Sequence, residues 1–304
     1  MPSRYVPVRP FATPNVLLCR DTCMDMDVVV KRINDDVEET IYRSVHALGG
    51  HPHILPQLDC FRDGSATTSH LVLEYCPNGD LFDLVVANKR IGSSLSIVYF
   101  EQLASAVHAL HTLGYAHNDL SLENVLLGRN MQVQLMDFGA AVSIHHATTY
   151  FGGKSNYRPP EVFTGHPWDP AAADIWALGV TFFAMLTGDF LLDDTVICDP
   201  AFDVLLDQGF RALLEQMPHW KALIPNAVVA LLEQMLQVEP SARPSISTVV
   251  QYAKLLSSVI SPGSPRHQQS TRHKIMRPRT LYRFNDIYAR PTGPLPPTPF
   301  IHCV

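Results

Sequence analysis

HNDLSLENVLL, from His117 to Leu127, is followed ten residues later by DFG at Asp137, Phe138 and Gly139. An acidic residue, an amide five positions on and a second acidic residue after a β-hairpin's length can orient a hydroxyl and hold magnesium around a triphosphate. Phosphoryl transfer asks a protein chiefly for positioning and charge neutralisation. Asp119 is the candidate acceptor for the attacking hydroxyl. Asn124 and Asp137 are candidate oxygen ligands for Mg²⁺, a hard cation that prefers such donors.

In this order, with Leu120, Glu123, Val125, Leu126 and Leu127 between them, these residues closely resemble the catalytic and magnesium loops of eukaryotic protein kinases. The resemblance implies an α+β, two-lobed protein-kinase-like fold: a small lobe of antiparallel sheet plus one helix, and a large, mainly helical lobe. The kinase domain is expected over residues 5–260, with the small lobe at 5–75 and the large lobe at 77–260. The implied activity is Mg²⁺-dependent transfer of the ATP γ-phosphoryl group to serine or threonine hydroxyls of protein substrates, because DLSLEN (Asp119–Asn124) is nearer DLKPEN than the tyrosine-kinase pattern. The alternative is a pseudokinase, a nucleotide-binding or scaffolding module without turnover. Against it, Lys31, Asp119, Asn124 and Asp137 are all present.

Upstream, VVVKRI (Val28–Ile33) is a β-branched run broken by one lysine, as in a buried strand whose charge has a partner. It resembles the third strand of the kinase small lobe, which places Lys31 against the α and β phosphates. The partner is expected from the next helix. Glu38 shares an inward face with Ile41, Val45 and Leu48, whereas Glu39 shares its face with Tyr42 and His46, so Glu38 is preferred. HLVLEYCPNGDLFDL (His70–Leu84) resembles the last small-lobe strand, the hinge and the first large-lobe helix. Main-chain groups near Glu74 and Cys76 are the candidates for adenine, and Leu73 guards the back pocket. Asp80 either approaches the ribose or caps a helix. Val16, fifteen residues before Lys31, and Leu126 are the expected walls around the base.

NYRPPE (Asn156–Glu161) resembles the segment closing the activation loop. DIWALG (Asp174–Gly179) opens an apolar helix through Leu186. EPSARPSI (Glu239–Ile246) supplies Arg243, which the resemblance pairs with Glu161. Helical spacing marks Ser93–Leu113, Phe202–Leu214, Val228–Leu236 and Ile246–Leu256, and MQVQLM (Met131–Met136) alternates as a strand does.

Several positions depart from the family pattern. No glycine precedes Gly49, so Arg9, Phe11 and Pro14 stand where a phosphate-covering loop carries glycines. Either the chain start is incomplete or ATP is held less tightly and less rigidly. Val29 replaces a small roof residue. Asn118 replaces the arginine before Asp119, which weakens the case for control by phosphorylation at Thr148, Thr149 or Tyr150. Ser121 stands where serine/threonine kinases carry a lysine, and Lys154 where they carry a threonine of the activation segment. These two residues meet beside the aspartate in the family, so Lys154 is expected to supply the charge Ser121 lacks.

At 304 residues, 46% hydrophobic and 17% charged, the chain has enough length for such a domain plus an extension. Six scattered cysteines, without metal or disulfide spacing, point to a reducing, intracellular (cytoplasmic or nuclear) setting. No signal-peptide pattern occurs in MPSRYVPVRP, and the longest apolar stretch, Ala171–Leu186, contains Asp174 and is too short to span a bilayer. Neither a membrane span nor a nucleic-acid partner is expected. Residues 261–304 hold eight prolines, seven Lys or Arg and one acidic residue. This basic tail of net charge about +6, against about −12 for the body and −6 overall, is expected to be disordered. An acidic partner, or a polyproline-binding domain taking PLPPTP (Pro294–Pro299), is the partner it suggests.

Overall fold

The computed structural model describes residues 4–33, 36–62, 68–192 and 200–260, so the expectation for the basic tail lies outside the described residues. The N-terminal part is a five-stranded antiparallel sheet built from β1 (Tyr5–Pro10), β2 (Val16–Asp21), β3 (Met26–Ile33), β4 (Gln57–Arg62) and β5 (Ser69–Glu74), in the order β1-β2-β3-β5-β4. Strand alternation divides its residues between two faces. Val28 and Val30 pack with Tyr5, Cys19 and Val72 on one face. Val29 and Lys31, paired with Leu18 and Val16, occupy the other, which looks onto the cleft. Both edge strands are irregular: β1 has a register shift between Pro7 and Arg9, and β4 has one between Gln57 and Asp59.

Helix α1 (Asp36–Ala47) begins with Asp36, Glu38 and Glu39, which suit the positive end of its dipole. The expected single apolar stripe is only half right. Leu48 lies past the helix end and is 73% exposed, while Tyr42 is buried. The helix is covered on two sides, and that accounts for the difference. Tyr42 meets the Phe138 ring edge-on at 4.9 Å, and Glu39 accepts hydrogen bonds from Ser69 Oγ (2.7 Å) and Arg62 (3.3 Å) while pairing with Arg43.

The C-terminal part is mainly helical: α2 (Leu81–Asn88), α3 (Ser93–Thr112), α4 (Pro170–Thr187), α5 (Pro200–Gln216, kinked at Gly209), α6 (Pro218–Lys221), α7 (Asn226–Met235) and α8 (Ile246–Ile260). Short pairs β6 (Tyr115–Ala116) with β9 (Val142–Ser143), and β7 (Val125–Leu127) with β8 (Val133–Leu135), lie between α3 and α4. Helix α4 starts four residues before Asp174, because Asp169 accepts a hydrogen bond from Ala171 N (2.8 Å) and Pro170 is pre-set for the first turn. At 18 residues it is long and apolar enough to cross a membrane, but 94% of it is buried inside the fold. It ends at Gly188, whose φ of 81° and a carbonyl contact both require glycine: a Cβ there would lie 1.7 Å from Lys89 O.

One ion pair ties the end of the activation segment to the large lobe. Arg243 donates to both Glu161 oxygens at 2.6 and 2.7 Å, to Ala172 O (3.0 Å) and to Gln237 O (2.9 Å), and lies over the Trp176 ring. Both members are buried, so removing one leaves an uncompensated charge. Arg243→Ala is expected to lower unfolding stability by about 3–5 kcal/mol in urea titration, and Arg243→Lys, which lacks the planar fork, to recover little of it.

Candidate active site

The loop after β6 is pinned from beneath by Asp174 on α4. Its carboxylate accepts from His117 N (2.7 Å) and Asn118 N (2.9 Å), with His111 Nε2 at 2.8 Å. His117 Nδ1 accepts from Asp119 N at 3.3 Å, which leaves Nε2 to donate to Met136 O at 3.0 Å. The imidazole therefore links the loop bearing Asp119 to the residue before Asp137. Asn118 (φ 62°) and Asp137 (φ 64°) both occupy the left-handed region, where Asn and Asp are the best tolerated side-chain residues.

One turn of 3₁₀ helix at Leu122–Asn124 returns Asn124 to Asp119. Its Nδ2 donates to Asp119 O (2.7 Å) and Oδ2 (2.9 Å), so its amide oxygen is left for another partner. Asp119 Oδ1 is buried and makes no hydrogen bond within the described residues, so it keeps its capacity to accept one. Burial raises the Asp119 carboxyl above its ordinary value, an effect that Lys154 offsets only in part.

From the small lobe, Lys31 Nζ reaches both Glu38 oxygens and Asp137 Oδ1, each at 2.8 Å. Burial opposes the Lys31 charge, but Asp137 and Glu38 outweigh it and raise the ammonium. Burial likewise opposes the Asp137 charge, yet Lys31 holds that carboxyl down at about 2. The choice of Glu38 over Glu39 agrees with this geometry. Phe138 is fully buried, between Tyr42 and His117.

The small-lobe side of the cleft has apolar walls. Phe11, Val16 and Leu18 form one buried cluster, against which Val29 and Tyr75 pack. Val29 also touches the main core holding Leu73 and Leu126. Phe11, at a position where the sequence lacks glycine, is thus packed with Val16 rather than projecting outward, and Arg9 lies over its ring. At the hinge, Glu74 N–H is spent on Pro56 O (3.1 Å), and Cys76 is buried. Asp80 bridges to Leu126 and caps α2 through one carboxylate oxygen, which accepts from Asp83 N (2.7 Å).

In the sequence Asn118 stands out only as a departure from the arginine of the family pattern. Its Nδ2 donates to Ala140 O (3.1 Å) and Tyr150 O (3.2 Å), fastening both ends of the segment after Asp137. Thr148 and Trp168 exchange backbone hydrogen bonds further along. Lys154 Nζ does meet Ser121 Oγ at 2.8 Å, with Glu123 Oε1 at 3.7 Å. Glu123 is in turn near the Tyr157 hydroxyl (3.5 Å), which accepts from Leu122 N (3.2 Å); only the fold brings these residues together.

The described residues contain no cluster of three or more His, Cys, Asp or Glu suited to a metal. Magnesium at phosphates needs only one or two protein oxygens and takes the rest from phosphate and water, so Asn124 and Asp137 fit it without such a cluster.

This arrangement of sheet, hinge, catalytic loop and central helix defines a protein kinase domain. A family profile for that domain matches residues 12–253, and the chain belongs to this family. It is 36% identical over 197 residues to maternal embryonic leucine zipper kinase of Xenopus tropicalis, covering 63% of this chain and 29% of that protein. It is 28% identical over 238 residues to serine/threonine-protein kinase kin-29 of Caenorhabditis elegans (73% and 28%). With SNF1-related protein kinase catalytic subunit alpha KIN12 of Arabidopsis thaliana it shares 32% over 205 residues (66% and 39%). The chain thus spans less than two-fifths of the length of these relatives. Kinase domains in general work with ATP and Mg²⁺.

Burial raises the Asp80 carboxyl from 3.8 to about 7. The folded chain therefore binds more protons there than the unfolded chain between those values, and stability falls as pH rises from about 4 to about 7. Asp80→Asn keeps a capping side chain and is expected to flatten that slope, by on the order of 1–3 kcal/mol over the window, in urea unfolding at successive pH values.

Proposed function

We propose that this chain transfers the ATP γ-phosphoryl group, with Mg²⁺, to serine or threonine hydroxyls of protein substrates. The observation that carries the reading is the convergence in one cleft of Lys31, joined to Glu38 and Asp137 at 2.8 Å, with Asp119, whose Oδ1 has no partner.

In this proposal Asp119 accepts the hydroxyl proton as the hydroxyl oxygen bonds to the γ-phosphorus. The bridging P–O bond breaks, and its electrons leave with ADP. Lys31, positioned by Glu38, holds the α and β phosphates, and Asn124 and Asp137 hold the metal. When bound, Mg²⁺ neutralises phosphate charge. Val16 and Leu126 flank the base, main-chain groups at Glu74 and Cys76 hydrogen-bond it, and Asp80 lies on the ribose side. The domain spans 5–260, with its small lobe at 5–75 and large lobe at 77–260. The scattered spacing of the six cysteines in the sequence supports a reducing, intracellular setting. The tail's charge and PLPPTP segment favour an acidic or polyproline-binding partner.

A pseudokinase is the second reading, favoured by Phe11 packed against Val16 beneath the sheet. Phosphate transfer from labelled ATP to a generic protein substrate separates the two. Asp119→Asn and Lys31→Met are each expected to lower the rate by about 10²-fold or more. No transfer above these variants, together with no ATP binding by the folded chain, would leave the scaffold reading.

A further inference from the structure

Lys154 is held at Ser121, two residues after Asp119, and its charge acts on the Asp119 carboxyl, whereas the Lys31 ammonium is bound to Glu38 and Asp137. The Lys154 side chain is 14% exposed and spends one N–H on Ser121 Oγ at 2.8 Å. Glu123 lies at 3.7 Å, beyond hydrogen-bond reach, and is itself near the buried Tyr157 hydroxyl at 3.5 Å. An ammonium has three donors, so this lysine is held in place but not fully used. It is also carried on a segment separate from the loop that bears Asp119. That segment is fastened to the loop by the Asn118 amide, through Ala140 O and Tyr150 O.

We infer that the activation segment delivers Lys154 as a catalytic cation to the γ-phosphoryl group, and that Asn118 is the positioning residue that keeps it there. The inference rests on the kinase reading of the same cleft. In the transfer described above, the bond to the substrate oxygen forms while the bridging bond to the β-phosphate breaks. Lys154 stabilises charge on the non-bridging γ-oxygens during this exchange and gives up no proton. Ser121 and Glu123 set the position of the ammonium. A neutral amide clamp replaces a charged one, so no added phosphate is needed to bring the cation into place.

The test uses the full chain and two independent readouts: binding of MgATP against MgADP by calorimetry, and turnover. Lys154→Gln can still donate to Ser121 but carries no charge. It is expected to cut the preference for MgATP over MgADP about tenfold, leave the MgADP dissociation constant unchanged, and lower kcat about 10²-fold. Ser121→Lys/Lys154→Gln moves the ammonium onto the catalytic loop and is expected to recover most of both losses. Asn118→Gly tolerates the positive φ but removes the amide. Its effect is expected to mimic Lys154→Gln in the natural background and to shrink several-fold once the cation sits at position 121. An unchanged nucleotide preference and kcat in Lys154→Gln overturns the inference, and equal Asn118→Gly penalties in both backgrounds overturn the delivery role of the segment. A natural chain that transfers no phosphate, yet loses its MgATP preference in Lys154→Gln, sinks the kinase activity and leaves the Lys154 contact standing. A chain that binds neither nucleotide sinks both.

Discussion

The Asp174 carboxylate, 1% exposed in the first half of α4, is the constraint around which the catalytic loop is arranged. It takes two main-chain N–H groups and lies against a histidine, and hydrogen bonds to a charged group contribute roughly 1.5–3 kcal/mol each. Holding Asn118 at a φ of 62° costs on the order of 1–3 kcal/mol. The anchoring therefore outweighs the local strain, and the loop keeps a shape that would relax on its own. That shape sends the Asn118 amide towards the activation segment and the Asp119 carboxylate towards Asn124.

The small lobe joins this frame through one lysine. Lys31 is stable in a half-closed site only because Glu38 and Asp137 flank it; a lone buried ammonium would shed its proton or draw in water. Asp137 belongs to the loop following β8 and Glu38 to α1, so the lysine makes the relative placement of helix and loop an electrostatic matter. Phe138 packing under Tyr42 adds an apolar contact at the same junction.

Much of this was legible in the sequence because the informative residues are consecutive or regularly spaced. The loops around Asp119 and Asp137 and the Lys31 strand each reside in a short motif, whereas the pairing of Arg243 with Glu161, 82 residues apart, came only from the family resemblance. The choice between Glu38 and Glu39 followed from helical periodicity, although the same periodicity misplaced Tyr42 and Leu48. A helix touched on two sides has no single buried stripe, and Leu48 fell beyond the helix end. The first turn of α4 lies outside the DIWALG motif, and its start is set by the cap at Asp169 and by Pro170. The two hydrogen bonds of Asn118 had no local signature: their acceptors are main-chain carbonyls 22 and 32 residues away, and any residue type offers a carbonyl.

The irregular edges of the five-stranded sheet bear on how this molecule behaves in company. Strand β1 exposes Val6 and Val8, 47% and 57% accessible, along an outer rim that could otherwise recruit a strand from a neighbouring chain. Pro7 and Pro10 remove two amide donors from that rim, and the bulge before Arg9 twists it out of register. At the opposite rim β4 is bulged as well, and it ends in a charged residue, Arg62. Each side of the sheet thus ends in a ladder that a further strand cannot extend in regular register, so crowding of these chains need not turn their apolar rims into fibres.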